Sequence, residues 1–195
     1  MKFASIRRCY LGNLGSGKTL SMVRSGIKYI KRTNGKIYAN FNYEGLGSRH
    51  FEPITSAGMI FDLAEKRQPC KIDFDEFGSL ADSRRGLSVL NDVFTTFCML
   101  SRKYQWQIEY SEQYVTMIDL RIRAITDDVV EPDTWGQHII ERHYIPHPYE
   151  YYFGRKFKAS PFFDFYDHEQ PPLTLDIQEL KRRWDKYKKD HNIGA

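Results

Sequence analysis

Apolar residues fall into two spacings along this chain, short continuous or alternating runs and longer stretches at helical intervals. Residues 6–11 fit a short buried strand, and residues 18–31 follow as a helix. Thr33-Asn34-Gly35 supplies a turn before a second strand over 36–42. Thr55 or Ser56 can cap a short helix ending near Lys66, with Met59, Ile60 and Leu63 on one face. Pro69 closes that connection, and residues 70–74 read as a third strand. Leu87, Leu90, Phe94, Phe97 and Leu100 mark the core side of a helix over 87–104. A fourth strand over 106–111 and a helix over 116–125 follow. From about Asp127 to His168 the chain turns rich in Tyr, Phe and Pro, with alternating segments at 139–144 and 149–157. These predict a fifth core strand and β-hairpin material at the sheet edge. Asp176 to Glu179 resembles a capping arrangement that opens a last helix, to about Lys189. Strands alternating with helices predict an α/β fold, a mostly parallel central sheet flanked by helices.

Length and composition change this picture little. A chain of 195 residues, 41% hydrophobic and 28% charged, is expected to fold as one domain with a proper core. The expected core spans about 5–130, the β-rich extension about 131–170 and the terminal helix about 176–190. A net charge of +4 permits contact with nucleic acid without arguing for it. Cys9, Cys70 and Cys98 are widely spaced, and buried reduced thiols suit a reducing compartment. The N-terminus lacks the apolar core of a signal peptide, and no stretch approaches the ~18 apolar residues of a membrane span. The expectation is a soluble, cytoplasmic protein.

Chemistry enters between the first strand and the first helix. Gly12-Asn13-Leu14-Gly15-Ser16-Gly17-Lys18-Thr19 spells G-x-x-x-x-G-K-[ST], the Walker A phosphate-binding loop. Its glycines let successive N–H groups turn inward around phosphate oxygens, and the helix from Lys18 through Leu20 aims its positive end at them. Lys18 would reach the β- and γ-phosphates, and the Thr19 hydroxyl would ligate Mg²⁺. ATP and Mg²⁺ are therefore the expected ligands, and the fold becomes a P-loop NTPase.

The third strand ends in Asp73-Phe74-Asp75-Glu76, which can serve as a Walker B segment. Asp75 would hold the Mg²⁺ shell and Glu76 would orient and deprotonate the attacking water, as in the catalytic-glutamate, additional-strand class. Asp73 is a rival for the metal, because alternation puts it on the same face one layer deeper. Gln113 lies just past the fourth strand, which in such sheets sits between the first and third. There its amide can meet the γ-phosphate or the water. Charge developing on the transferred phosphoryl group calls for a cation, often from a neighbouring subunit. Arg84 and Arg85, read in the loop after the Walker B segment, Arg102 at the end of a long helix, Arg121 and Arg123 are candidates.

The ordered set of the loop 11–19, Ile37-Tyr38-Ala39-Asn40, Asp73-Phe74-Asp75-Glu76 with Arg84-Arg85, residues 100–103, residues 108–113 and residues 118–123 is similar to Zot-like ATPases. These belong to the FtsK–HerA group of DNA-pumping motors, which includes viral genome-packaging ATPases. The resemblance covers about 6–130. It implies an ATPase with a glutamate base, a glutamine sensor and ring oligomers, usually hexamers. Zot-like proteins of filamentous phages carry a membrane span that this chain lacks, so the nearer analogy is to small soluble packaging ATPases of membrane-containing viruses.

A translocase also needs a basic surface. Residues 181–189 form a basic run with Trp184 and Tyr187 interleaved, and residues 155–158 are a second candidate. The competing reading packs both aromatics on the domain and leaves a solvated helix face. His138, His143 and His147 lack a metal pattern, since Pro146 spoils helical spacing. The function expected is a DNA translocase motor that packages a viral genome, acting as a ring on double-stranded DNA in the host cytoplasm or with the virion. Capsid or membrane-embedded virion proteins are further expected partners. The alternatives are an assembly or secretion ATPase acting on a protein partner, and a small-molecule kinase. The chain has no Asn-Lys-x-Asp motif, which disfavours a GTPase.

Overall fold

The computed structural model describes residues 5–80, 84–166 and 175–193, with the backbone alone at 84–87. Thirteen helices and strands organise it: β1 (Ile6–Leu11), α1 (Lys18–Thr33), β2 (Ile37–Ala39), β3 (Phe51–Pro53), α2 (Ala57–Lys66), β4 (Lys71–Phe74), α3 (Arg84–Tyr104), β5 (Gln107–Glu112), α4 (Leu120–Ile125), β6 (Asp128–Trp135), β7 (His138–Ile145), β8 (Glu150–Lys158) and α5 (Ile177–His191). The strands form one eight-stranded sheet in the order β3-β2-β4-β5-β1-β6-β7-β8. Strands β3 through β6 in that row pair in parallel, while β7 and β8 add an antiparallel hairpin. This is the expected α/β architecture, with β5 between β1 and β4.

Both faces of the parallel strands are covered, as parallel sheets require. On one face Cys9, Leu11, Ile72, Phe74, Ile108 and Tyr110 pack under α2, α3 and α5. On the other, Tyr10, Ile37, Ala39 and Val130 meet Met22, Val23 and Ile27 of α1. All three cysteines are buried free thiols.

Several boundaries differ from the sequence reading, each for a local reason. The second strand stops at Ala39, because the Asn40 side chain is drawn into bonds with Asp75. β3 was not anticipated: it is short and ends in Pro53, which an edge strand tolerates because no ladder partner needs its missing N–H. α3 starts a turn early, so Arg84 and Arg85 fall on a helix, not in a loop, and their side chains lie outside the described residues. The helix expected over 116–125 divides into a 3-10 turn (Val115–Met117) and α4, which Asp119 caps by accepting from Arg121 N at 2.8 Å.

α5 is capped by Asp176, which accepts from Gln178 N and Glu179 N at 2.8 and 3.2 Å. Its Trp184 and Tyr187 are buried against Phe61 of α2 and Phe97 of α3. The aromatic half of the basic-run candidate is therefore core, and Lys181, Arg182, Lys186 and Lys189 form a solvated face. No described helix is long and apolar enough to cross a membrane.

Candidate active site

The loop 12–17 leaves β1 and turns directly into α1. Gly15 and Gly17 hold φ of 79° and 94°, the left-handed region that a Cβ disfavours. At Gly17 a Cβ would also lie 2.6 Å from Ile139 Cδ1, so β7 packs hard against the mouth of the helix. Thr134 Oγ1 of β6 donates to Gly15 O at 2.9 Å, a second tie to the loop, from the strand beside β7. Lys18 Nζ is buried and donates to Gly12 O and Asn13 O at 2.8 and 3.1 Å. Burial pulls its ammonium below the ordinary value, against the attraction of Asp75, Glu76 and Glu112.

At the end of β4, Asp75 is gripped from three directions. Thr19 Oγ1 donates to its Oδ2 at 2.7 Å, and Ser111 Oγ donates to Oδ1. Asn40 brackets its backbone, accepting from Asp75 N at 2.7 Å and donating to Asp75 O at 2.8 Å. Ser111 Oγ also accepts from Glu76 N at 2.9 Å. Glu76 itself is half-buried with φ of 47°, a strained conformation for a residue with a Cβ. The chain thus leaves β4 abruptly at the residue expected to carry the base.

Asp73, one layer deeper, has surroundings unlike those of Asp75. Its carboxylate is fully buried, ion-paired to Lys71 and accepting from Tyr43 Oη at 2.5 Å. Lys71 reaches across to Glu109 at 3.0 Å, and Glu109 also pairs with Arg8 at 2.8 Å. The rival metal role for Asp73 is thereby withdrawn, since Lys71 and Tyr43 already occupy its oxygens.

Sequence reasoning singled out neither Glu112 nor Ser111 for a role. Glu112 ends β5, is buried, and accepts from Gly78 N and from Gln113 N, the latter at 3.3 Å. Its backbone carbonyl accepts from Gly12 N at 3.3 Å. One residue therefore ties the start of the loop at Gly12, the turn after Glu76 and the backbone N–H of Gln113. Burial raises its carboxyl pKa, opposed by those two N–H donors. The signal available beforehand was position: a polar pair at the end of an alternating strand that lies between the two motif-bearing strands. Gln113 is half-buried and lines a cavity of about 700 Å³ with the outer side of the loop, Glu131 and Arg142.

The arginines are dispersed. Arg102 lies 3.6 Å from Asp127 at the foot of the sheet, the opposite end from its own phosphate loop. Arg121 is spent on Asp92 and Asp119 at 2.6 and 3.0 Å. Arg123 is half-buried and its Nε has no hydrogen-bond partner. Arg155 pairs with Glu141, and Lys156 sits 4.1 Å over the Trp135 ring. His143 is a structural residue that bonds Asp128 at 3.0 Å. No group of three or more metal-ligating residues occurs among the described residues.

The loop fits a triphosphate and Mg²⁺. Ser16 Oγ is buried without a partner, and two carbonyls leave one of the three Lys18 donors uncommitted. Thr19 and Asp75 supply the hydroxyl and carboxylate oxygens that a hard cation prefers.

No protein-family model and no curated protein matches the sequence. Among solved structures, the chain is similar to the N-terminal domain of zonular occludens toxin from Neisseria meningitidis, at 15% identity over 84% of this chain and 100% of that one, with a TM-score of 0.55. It is also similar to the genome packaging NTPase B204 from Sulfolobus turreted icosahedral virus 2 in complex with ATPγS, at 11% identity over 81% of this chain and 98% of that one, with a TM-score of 0.53. At such identities the likeness is one of fold, and the fold is that of P-loop NTPases.

Proposed function

We propose that this chain is a Mg²⁺-dependent ATPase that works as a ring-forming DNA translocase, packaging a viral genome from the host cytoplasm. The observation that carries the ATPase reading is the 2.7 Å contact between Thr19 Oγ1 and Asp75, with Glu76 next in the chain. It joins the two motifs at the point where the metal would sit. The genome packaging NTPase and the zonular occludens toxin domain, which share this fold, support the choice within the ATPase class.

In this reading the N–H groups of residues 15–20 surround the phosphates, and Lys18 releases its loop carbonyls to reach the β- and γ-oxygens. Thr19 and Asp75 hold Mg²⁺, which when bound offsets the negative charge of the phosphate oxygens. Glu76 takes a proton from water as its oxygen attacks the γ-phosphorus and the bond to ADP breaks. Gln113 orients that water. The arginine comes from a neighbouring subunit in a ring, since no described arginine of the same chain hydrogen-bonds the loop, and Arg142, which shares the cavity beside Gln113, lies 3.6 Å from Asp133.

The test is steady-state ATP hydrolysis with and without double-stranded DNA at low salt. Stimulation that fades as salt rises supports the translocase, because phosphate contacts depend on counterion release. Lys18→Ala should abolish turnover with or without DNA. One observation favours a second reading, an assembly ATPase driven by a protein partner. The burial of Trp184 and Tyr187 weakens the best DNA candidate, while Tyr149, Tyr151, Tyr152 and Phe153 are exposed on and beside the edge strand β8. Hydrolysis indifferent to DNA would select it.

A further inference from the structure

The orientation of a nucleotide in this fold is set by where its γ-phosphate must point. Asp75, Glu76 and Gln113 follow β4 and β5, which lie on one side of β1. The nucleoside must then leave on the other side of β1, toward β6, β7 and β8. β6 runs parallel to β1, so its end, the start of β7 and the end of β8 all stand at the level of the phosphate loop.

A recess of about 560 Å³ opens there, bounded by Gly15 and Gly17 of the loop and by Leu20, just past Thr19. Ile139, Ala159 and Phe163 supply its apolar wall, and Gln137 and Lys158 its polar one. Leu20, Ile139 and Ala159 pack on one another as a small buried cluster, so that wall is built before any ligand arrives. Phe163, by contrast, is 58% exposed, an uncovered aromatic ring beside the loop. The volume lies within the ordinary range of small-molecule sites, roughly 300–1,000 Å³.

The competing cavity, beside Gln113, contains the carboxylates Glu131 and Asp133, with the single cation Arg142 3.6 Å from Asp133. The recess is lined by no acidic residue among those described, and it has Lys158, so an anionic ligand is not repelled.

We infer that this recess receives the nucleoside of the bound nucleotide, with the purine ring stacked on Phe163. The inference rests on the proposed function and deepens it: the C-terminal extension beyond Val130 becomes the nucleoside-binding half of the site. Recognition there is by shape and stacking.

The test is calorimetric binding of ATP and of inorganic tripolyphosphate to the full chain and to Phe163→Ala and Phe163→Trp. Phe163→Ala should weaken ATP about tenfold, as loss of a base–aromatic stack does, and leave tripolyphosphate unchanged. Phe163→Trp should restore ATP binding. ATP binding unaffected by Phe163→Ala, or both ligands weakened alike, would overturn the inference. A wild-type chain that binds neither ligand would overturn the phosphate-loop reading itself, and this one with it.

Discussion

Asp73 and Asp75 stand two residues apart on or beside β4, face the same side of the sheet under α1, and live in opposite surroundings. Asp73 is sealed in an ionic chain that runs through Lys71 to Glu109 and Arg8, then to Asp128 and His143. Asp75 is held by neutral donors, the hydroxyls of Thr19 and Ser111, and touches no described cation within ion-pair distance. A carboxylate already neutralised by a buried ammonium contributes to a specific fold. A carboxylate held by hydroxyls has no cationic partner of its own and can turn its oxygens to a ligand. The pair teaches that the sheet separates structure from chemistry by one layer of depth.

The largest break in that comparison comes from removing Lys71. Lys71→Ala leaves the buried Asp73 without a cation and takes one of two cationic partners from Glu109, which keeps Arg8. It should cost about 3–5 kcal/mol of stability by urea denaturation. Asp75→Ala removes only hydrogen bonds to hydroxyls and should cost about 1 kcal/mol. Equal losses from both would erase the distinction.

Ser111→Ala comes next. It deprives Asp75 of a donor and Glu76 N of its acceptor, so turnover should fall about tenfold or more while stability drops by about 1–2 kcal/mol. Glu112→Ala should act more gently, lowering turnover severalfold with ATP affinity kept, because it loosens the turn at Gly78 and leaves the loop N–H groups in place. A change in affinity alone would contradict that role.

The smallest effect is a pH dependence in the ionic chain. Burial works against charging His143, but Asp128 and Glu141 outweigh it and raise its pKa above 6.5. A raised histidine contributes stability that is complete below the unfolded value and lost as pH rises through the folded one. Wild type should therefore exceed His143→Gln in urea midpoint by more at pH 6 than at pH 8.5.

Much of this was legible in the chain. The Walker A residues, the alternation of strands and helices and the position of Gln113 after a central strand all follow from motif and period. Asp75 and Glu76 were found where the third strand ends. What stayed hidden depended on register between strands. Lys71, Asp73, Glu109 and Arg8 each read as ordinary alternation of polar residues, and only lateral pairing of β4, β5 and β1 under α1 makes them one buried network. The aromatics of α5 were ambiguous for the same reason: period alone does not say whether Trp184 faces the domain or solvent. The hairpin's packing of Ile139 onto Gly17 brings together residues more than a hundred positions apart, beyond any local signal.

The most direct test of the central claim is ATP hydrolysis with Mg²⁺ by the wild-type chain and by Glu76→Gln, each paired with a binding measurement. The account predicts turnover in wild type, a loss of about 10²–10⁴-fold in Glu76→Gln, and ATP affinity little changed between them. Equal turnover in the two proteins, or a wild type that binds no ATP, would contradict it.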